Sequence, residues 1–209
     1  MPHAPQPHED SIADVIRKHF PDKQEEFKDI LWIAELFDEH SKLIEILKSD
    51  VDIAINEVSS ATDELRQYRL RVLVRTFFAF IEGNIAILKQ ILLGCNDIKS
   101  INLEIDDLAI IIENKRVVND QLVKPKRRQL KDVVKFIFTT FAMEISKREF
   151  KIDTDSKEWK AFCDSIKLRD RLMHPKTPGD MTVTDQEKDD LILASKWFLG
   201  TSTFLWKLP

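Results

Sequence analysis

Glycine is scarce in this chain, at 4 of 209 residues. A sheet-rich fold turns often and relies on glycine at its turns, so a helical chain is expected. Cysteine is scarcer still, with Cys95 and Cys163 standing alone. Without a CxxC pair or a Cys/His spacing, a disulfide scaffold and a thiolate zinc site are excluded. Both thiols are expected to be reduced and buried, in a cytoplasmic protein. A single bridge between them is the alternative, although nothing else in the chain suits secretion. The first ten residues, MPHAPQPHED, lack the basic and apolar regions of a signal peptide and read as a short disordered lead. No HxxxH or HExxH spacing occurs, so no metal site is expected. GxxxxGK[ST], GxGxxG and GxSxG are also missing, which leaves nucleotide cofactors and sheet-based hydrolase chemistry without support. No cofactor of any kind is expected. The longest apolar stretch, residues 70 to 94, is interrupted by Arg71, Arg75, Glu82 and Lys89. A bilayer span needs about 20 mostly apolar residues with few charges, so this stretch reads as a buried central helix.

What the chain does have is charge and helical periodicity. The formal net charge is −4, but its distribution is uneven. Residues 1–64 hold 6 Lys+Arg against 16 Asp+Glu, and residues 65–209 hold 26 against 20. The basic portion suggests a polyanionic partner, the acidic portion packing on it, or two ordinary solvated surfaces. The helical pattern predicts a short helix over 11–20, stopped by Pro21, and another from Asp22 to Leu47 with Asp22 and Glu25 as a capping box. Further helices are expected over 51–60, 62–93 with Gly94 as the stop, 103–114, 130–146, 156–173 and 185–208. The β-branched run at 103–114 also suits a strand. Asp155 with Glu158 and Thr184 with Glu187 are the expected caps of the last two helices. Residues 95–102, 115–129 and 176–183 read as loops. The expected architecture is all-α, a helical bundle over 65–209 with an acidic helical extension over 1–64. The four tryptophans, Trp32, Trp159, Trp197 and Trp206, are expected to anchor helix packing.

The stretch SIKLRDRLMHPK, 165–176, joins an arginine and a histidine five residues apart, just ahead of Pro175. On an ideal helix they would point roughly 140° apart. The proline ends the helix near Met173, so His174 can leave its ideal direction; a facing second copy could also bring Arg and His together. Histidine is the side chain suited to move a ribose 2′-hydroxyl proton near neutral pH. Arginine grips phosphate oxygens with a planar fork and steadies transition-state charge. The pair suits RNA cleavage with the 2′-oxygen as internal nucleophile, a chemistry closed to DNA.

The six residues Arg169, Asp170, Arg171, Leu172, Met173 and His174 resemble the signature of the HEPN superfamily, in which Arg, a polar residue and three more precede His. The upstream RTFFAFIEG, 75–83, resembles an early helix of such domains. The resemblance spans about 65–209, and its specific part is the six-residue motif. It implies an all-helical domain, usually dimeric, with a composite site at the dimer interface. Many members are metal-independent endoribonucleases of toxin–antitoxin or antiviral systems; others bind without cutting. The tyrosine that some members carry two residues after the His is replaced here by Lys176, so control through that tyrosine is not expected. The resemblance makes Arg169, His174 and Asp170 the catalytic candidates, leaving 2′,3′-cyclic phosphate ends on RNA.

Other residues carry a functional and a plain reading side by side. Arg171 is an auxiliary phosphate contact or a surface charge. Arg75 and Glu82, seven apart, share one helix face; they form an internal ion pair with another helix, or a pair that positions Arg169. The basic run Lys124, Lys126, Arg127 and Arg128, together with Lys176, is a solvated surface or the contact for an RNA backbone. Expected partners are RNA, a second copy of the chain, and an antitoxin or another defence protein, with no membrane. The alternative is a non-catalytic helical module that holds a protein or nucleic-acid partner in a larger assembly.

Overall fold

A computed structural model describes residues 12–118 and 121–206. The expected lead at 1–10 and the last three residues lie outside the described residues. Seven α-helices occupy the described chain: α1 (Ile12–His19), α2 (Lys28–Ser59), α3 (Asp63–Asp97), α4 (Ile105–Ile111), α5 (Leu130–Glu144), α6 (Lys157–Met173) and α7 (Asp185–Trp206). One short antiparallel ladder, β1 (Arg116–Val118) with β2 (Gln121–Val123), interrupts the helical order. The chain is therefore all-α in class, with this small hairpin inside the stretch expected to be a loop. In the ladder Val117 stands opposite Leu122, and Arg116 opposite Val123, whose side chain is buried.

Helix α3 is the axis of the molecule. At 35 residues it runs about 50 Å. It is long and apolar enough to cross a membrane by length and composition, but most of its apolar window (61%) is buried within the fold. Helices α2, α5, α6 and α7 all pack against it. Phe198 of α7, fully buried, touches Phe77 and Phe80 of α3, Phe138 of α5, and Phe162 of α6. These aromatic edges and faces lock four helices around one point. Trp159 and Trp197 join the same cluster, and Trp206 packs on Phe37 and Phe141. Trp32 is 45% exposed, yet the edge of its ring lies on Gly94 of α3 and so packs α2 against α3.

The core is continuous from Val51 and Ala54 of α2 to Leu205 of α7. The acidic N-terminal third thus supplies part of the central core through α2. A smaller cluster of Ala13, Leu31 and Ala34, with Ile16 and Phe27 against it, seats α1 on the first half of α2.

Several helix boundaries differ from the sequence expectation for identifiable reasons. No capping box forms at Asp22: Pro21–Lys23 is a single 3-10 turn, and α2 starts after Phe27 without a side-chain cap. Phe27 is held by Phe20, with ring centroids 5.7 Å apart, so an aromatic contact sets the entry to α2 in place of a carboxylate. The two helices expected over 22–47 and 51–60 are one, since Lys48–Ser49–Asp50 contains no breaker. Gly94 does not stop α3. The helix continues to Asp97, and Lys99 takes the left-handed conformation (φ 58°) that closes the end. Gly94 serves close approach instead: a Cβ there would run into the Trp32 ring, and one at Gly83 would lie 2.7 Å from a Leu47 methyl. The cap of α6 is Ser156, one residue after Asp155, with its Oγ accepting the Trp159 N–H at 3.2 Å. The Thr184–Glu187 box at the start of α7 forms as expected, with each side chain accepting the other's backbone N–H. Cys95 is buried, Cys163 is half-buried, and both are free thiols.

Candidate functional site

Helix α6 ends where the sequence says it must. Pro175 bars its neighbour from helical backbone, and His174 sits at φ −130°, ψ 54°, outside the helix. Its N–H still donates to the Asp170 carbonyl at 3.1 Å, so the chain departs only at the side chain's own residue. The imidazole is exposed and has no hydrogen bond or ion pair among the described residues.

Arg169 lies one turn back and is held from three directions. Its guanidinium pairs with Glu82 of α3 and with Asp170 Oδ1 at 3.2 Å. Its Cζ stands 5.7 Å from the centre of the Phe78 ring, within cation–π range. Phe78 and Glu82 are four residues apart on α3, so one helix face offers both the ring and the carboxylate. That spacing was readable in the sequence; that it would meet Arg169 was not. Asp170 is exposed beyond its contact with Arg169.

Arg75 is exposed and has no partner among the described residues. Arg71 donates to the Met181 carbonyl at 3.1 Å, whereas Glu82 meets Arg169. Of the two residues expected to make an ion pair with another helix or to position Arg169, Glu82 pairs with Arg169 and Arg75 pairs with neither.

Arg171 faces the other way. Its Nη1 donates to the carbonyls of Asp180 and Thr182 at 2.8 and 2.9 Å, and its Nη2 to Glu187 Oε1 at 2.6 Å. It fastens the segment after the motif to α7. Gln67 adds two bonds to the Val183 backbone, at 3.0 and 2.9 Å. Asp180 accepts the N–H groups of Lys176 and Thr177, both at 2.8 Å, and these hold its carboxyl below the ordinary range. Burial alone would raise Glu187, but the Thr184 N–H and Arg171 hold it below its ordinary value. The loop that carries His174 away from α6 is thus fixed in place. The Lys176 side chain is exposed and has no partner among the described residues.

The basic run is exposed at Lys124, Lys126, Arg127 and Arg128. None of these four side chains has an ion pair or hydrogen bond among the described residues, in contrast to Arg17, Arg66, Arg69, Arg116 and Arg171, which all have carboxylate partners. The run leads into a groove of about 340 Å³ between the start of α5 and α6. Leu130, Ile166 and Cys163 provide its less polar part; Lys131, Lys167, Arg169 and Asp170 provide its charges. Lys167 is paired with Asp164 at 2.7 Å, whereas Lys131 has no such partner among the described residues. Burial pushes the Cys163 thiol above its ordinary value. Cys163 was not a candidate from sequence; Lys131 closes the basic run that was.

The fold joins the basic run to Arg169 through this groove, and it sets His174 at the end of the same helix. No group of three or more His, Cys, Asp or Glu side chains among the described residues could hold a metal ion. No family model matches the chain, and no curated protein or solved structure matches it significantly.

Proposed function

We propose that this chain is an endoribonuclease of the HEPN type that needs no metal. The observation that carries the reading is that Arg169 borders the groove entered by Lys131 at the end of the basic run, while the exposed His174 stands five residues on, just past the end of α6. His174 acts as the general acid and base on the 2′-hydroxyl and the leaving oxygen. Arg169 binds the scissile phosphate and steadies its developing charge, with Asp170 orienting the fork. A second copy of the chain completes the site, because within one chain the Arg169 fork and the His174 imidazole make no contact. The setting that suits such an enzyme is toxin–antitoxin or antiviral defence in the cytoplasm, with a small antitoxin or another defence protein as its restraint.

One observation favours a second reading. The Arg169 fork is divided between two carboxylates, and a phosphate must displace at least one of them. A chain in which that never happens is a binding module with the motif as a structural remnant.

The test is RNA cleavage in EDTA by wild type and by His174→Ala at matched concentration. The expected result is 2′,3′-cyclic phosphate ends from the wild type and a loss of at least 100-fold in the variant, in line with general acid–base catalysis. Absence of cleavage by the wild type, at concentrations where it is dimeric, overturns the enzyme reading in favour of the binding module.

A further inference from the structure

We infer that the groove between α5 and α6 is a subsite for one unpaired nucleotide of an RNA strand, whose neighbouring phosphates lie along Lys124–Arg128. The inference rests on the RNA reading above and adds the path of the strand and its single-stranded state.

Three features carry it. The first is charge without neutralisation. Lys124, Lys126, Arg127 and Arg128 are exposed and lack carboxylate partners among the described residues, and Lys131 continues them into the groove. Cations left free in this way are available to replace the counterions of a phosphate backbone. The second is the shape and lining of the groove. About 340 Å³ is within the range of small-molecule sites. Leu130 and Ile166 offer an apolar wall to a base, and Lys131 and Arg169 offer charge to its phosphates. A base can reach such a wall only when it is unpaired and unstacked, as in the recognition of loops and single strands. The third is continuity. Arg169 belongs both to the groove and to the motif that ends at His174, so a nucleotide seated here presents its phosphate to the residue assigned to grip it.

Cys163 makes the idea testable without any need for catalysis. It is half-buried in the groove, and the other thiol, Cys95, is buried elsewhere. The experiment uses the full chain carrying His174→Ala, which leaves the groove intact and prevents cleavage. Maleimide labelling of Cys163 is followed by mass spectrometry with a single-stranded RNA, with a duplex of the same sequence, and without RNA. Fluorescence anisotropy measures affinity against salt in the same protein and in a variant with Lys126→Ser, Arg127→Ser and Arg128→Ser added. These three side chains are exposed, so the variant keeps its fold, which circular dichroism checks.

The single strand is expected to protect Cys163 at least fivefold, and the duplex to leave it open. The triple variant is expected to lower the slope of log K against log salt by about 2, at about 0.7 per lost phosphate contact on a single strand. Carried over one decade of salt, that slope weakens binding on the order of 100-fold at 0.1 M. Binding without protection, equal protection by the duplex, or an unchanged salt slope overturns the subsite. Wild-type cleavage in EDTA separates the two proposals. Cleavage with an open Cys163 removes the subsite alone. Protection without cleavage removes the enzyme alone. Neither binding nor cleavage removes both.

Discussion

Replacing Gly94, Gly83 or Gly200 by alanine makes the same chemical change in a helix, yet the surroundings call for three different outcomes. In a helix interior, alanine is favoured over glycine by about 1 kcal/mol. At Gly200 of α7 nothing lies within 4 Å of the added methyl, so Gly200→Ala keeps that gain. For a chain of this size it raises the melting temperature by about 2–4 °C. At Gly83 the methyl meets only the tip of Leu47, 2.7 Å away, which a rotamer change can relieve; the net effect is near zero. At Gly94 the methyl would enter the Trp32 ring itself. The indole is rigid and must leave its seat or push α2 off α3, at the about 1–3 kcal/mol typical of overpacking. Gly94 also lies three residues from the end of α3, where the propensity gain is smaller. Gly94→Ala is therefore expected to destabilise by about 1–2 kcal/mol. Urea melts followed by circular dichroism measure all three. In a Trp32→Ala background the clash is gone, and Gly94→Ala is expected to become neutral or stabilising, a coupling that the double-mutant cycle reads directly. If Gly94→Ala stabilises the otherwise wild-type chain as much as Gly200→Ala, Trp32 does not sit on Gly94 and the α2–α3 packing described here is wrong.

The other predictions concern buried polar groups and acid. Asn84 Nδ2 donates to Ser202 Oγ at 2.7 Å in the core, and Asn84 Oδ1 already lacks a partner. Ser202→Ala is expected to cost about 1–3 kcal/mol in a denaturant melt, and Asn84→Leu in that background to recover much of it, because an unsatisfied donor costs more than no polar group. Asp180 and Glu187 are held below their ordinary values, so their carboxylates favour the folded loop at neutral pH. That contribution is present above the unfolded values near 4 and is lost as pH falls through the lower folded values. Amide exchange at Lys176 and Thr177 is expected to lose protection as pH falls below about 4, after correction for the intrinsic rate. Asp180→Asn should remove the pH dependence at those two amides; an unchanged profile would show that the loop is held by other contacts.

Much of the architecture is written in local chemistry. Few glycines, apolar residues at helical spacing, Pro175 after the motif, and the Thr184–Glu187 box are all properties of short segments. They determine helical class, the end of α6 and the start of α7 without reference to the rest of the chain. The exposed basic run is equally local, since six cations between residues 124 and 135 face a single carboxylate, Asp132. So is the kinship of Phe78 and Glu82, which share a helix face by spacing alone.

What only the tertiary structure decided depends on partners distant in sequence. The role of Gly94 required Trp32, 62 positions earlier, to lie across it. The entry to α2 was taken from Asp22 by the contact between Phe20 and Phe27. Arg171 could have faced a phosphate until α7 brought Glu187 to its fork, and Arg169 could have been free until α3 supplied Glu82 and Phe78. The groove exists only because the start of α5 comes to rest beside α6. Periodicity records which face of a helix must be buried, but not which helix will bury it. That choice is made by shape and charge across the whole core, where every helix has several apolar faces to meet and only one arrangement fills the space.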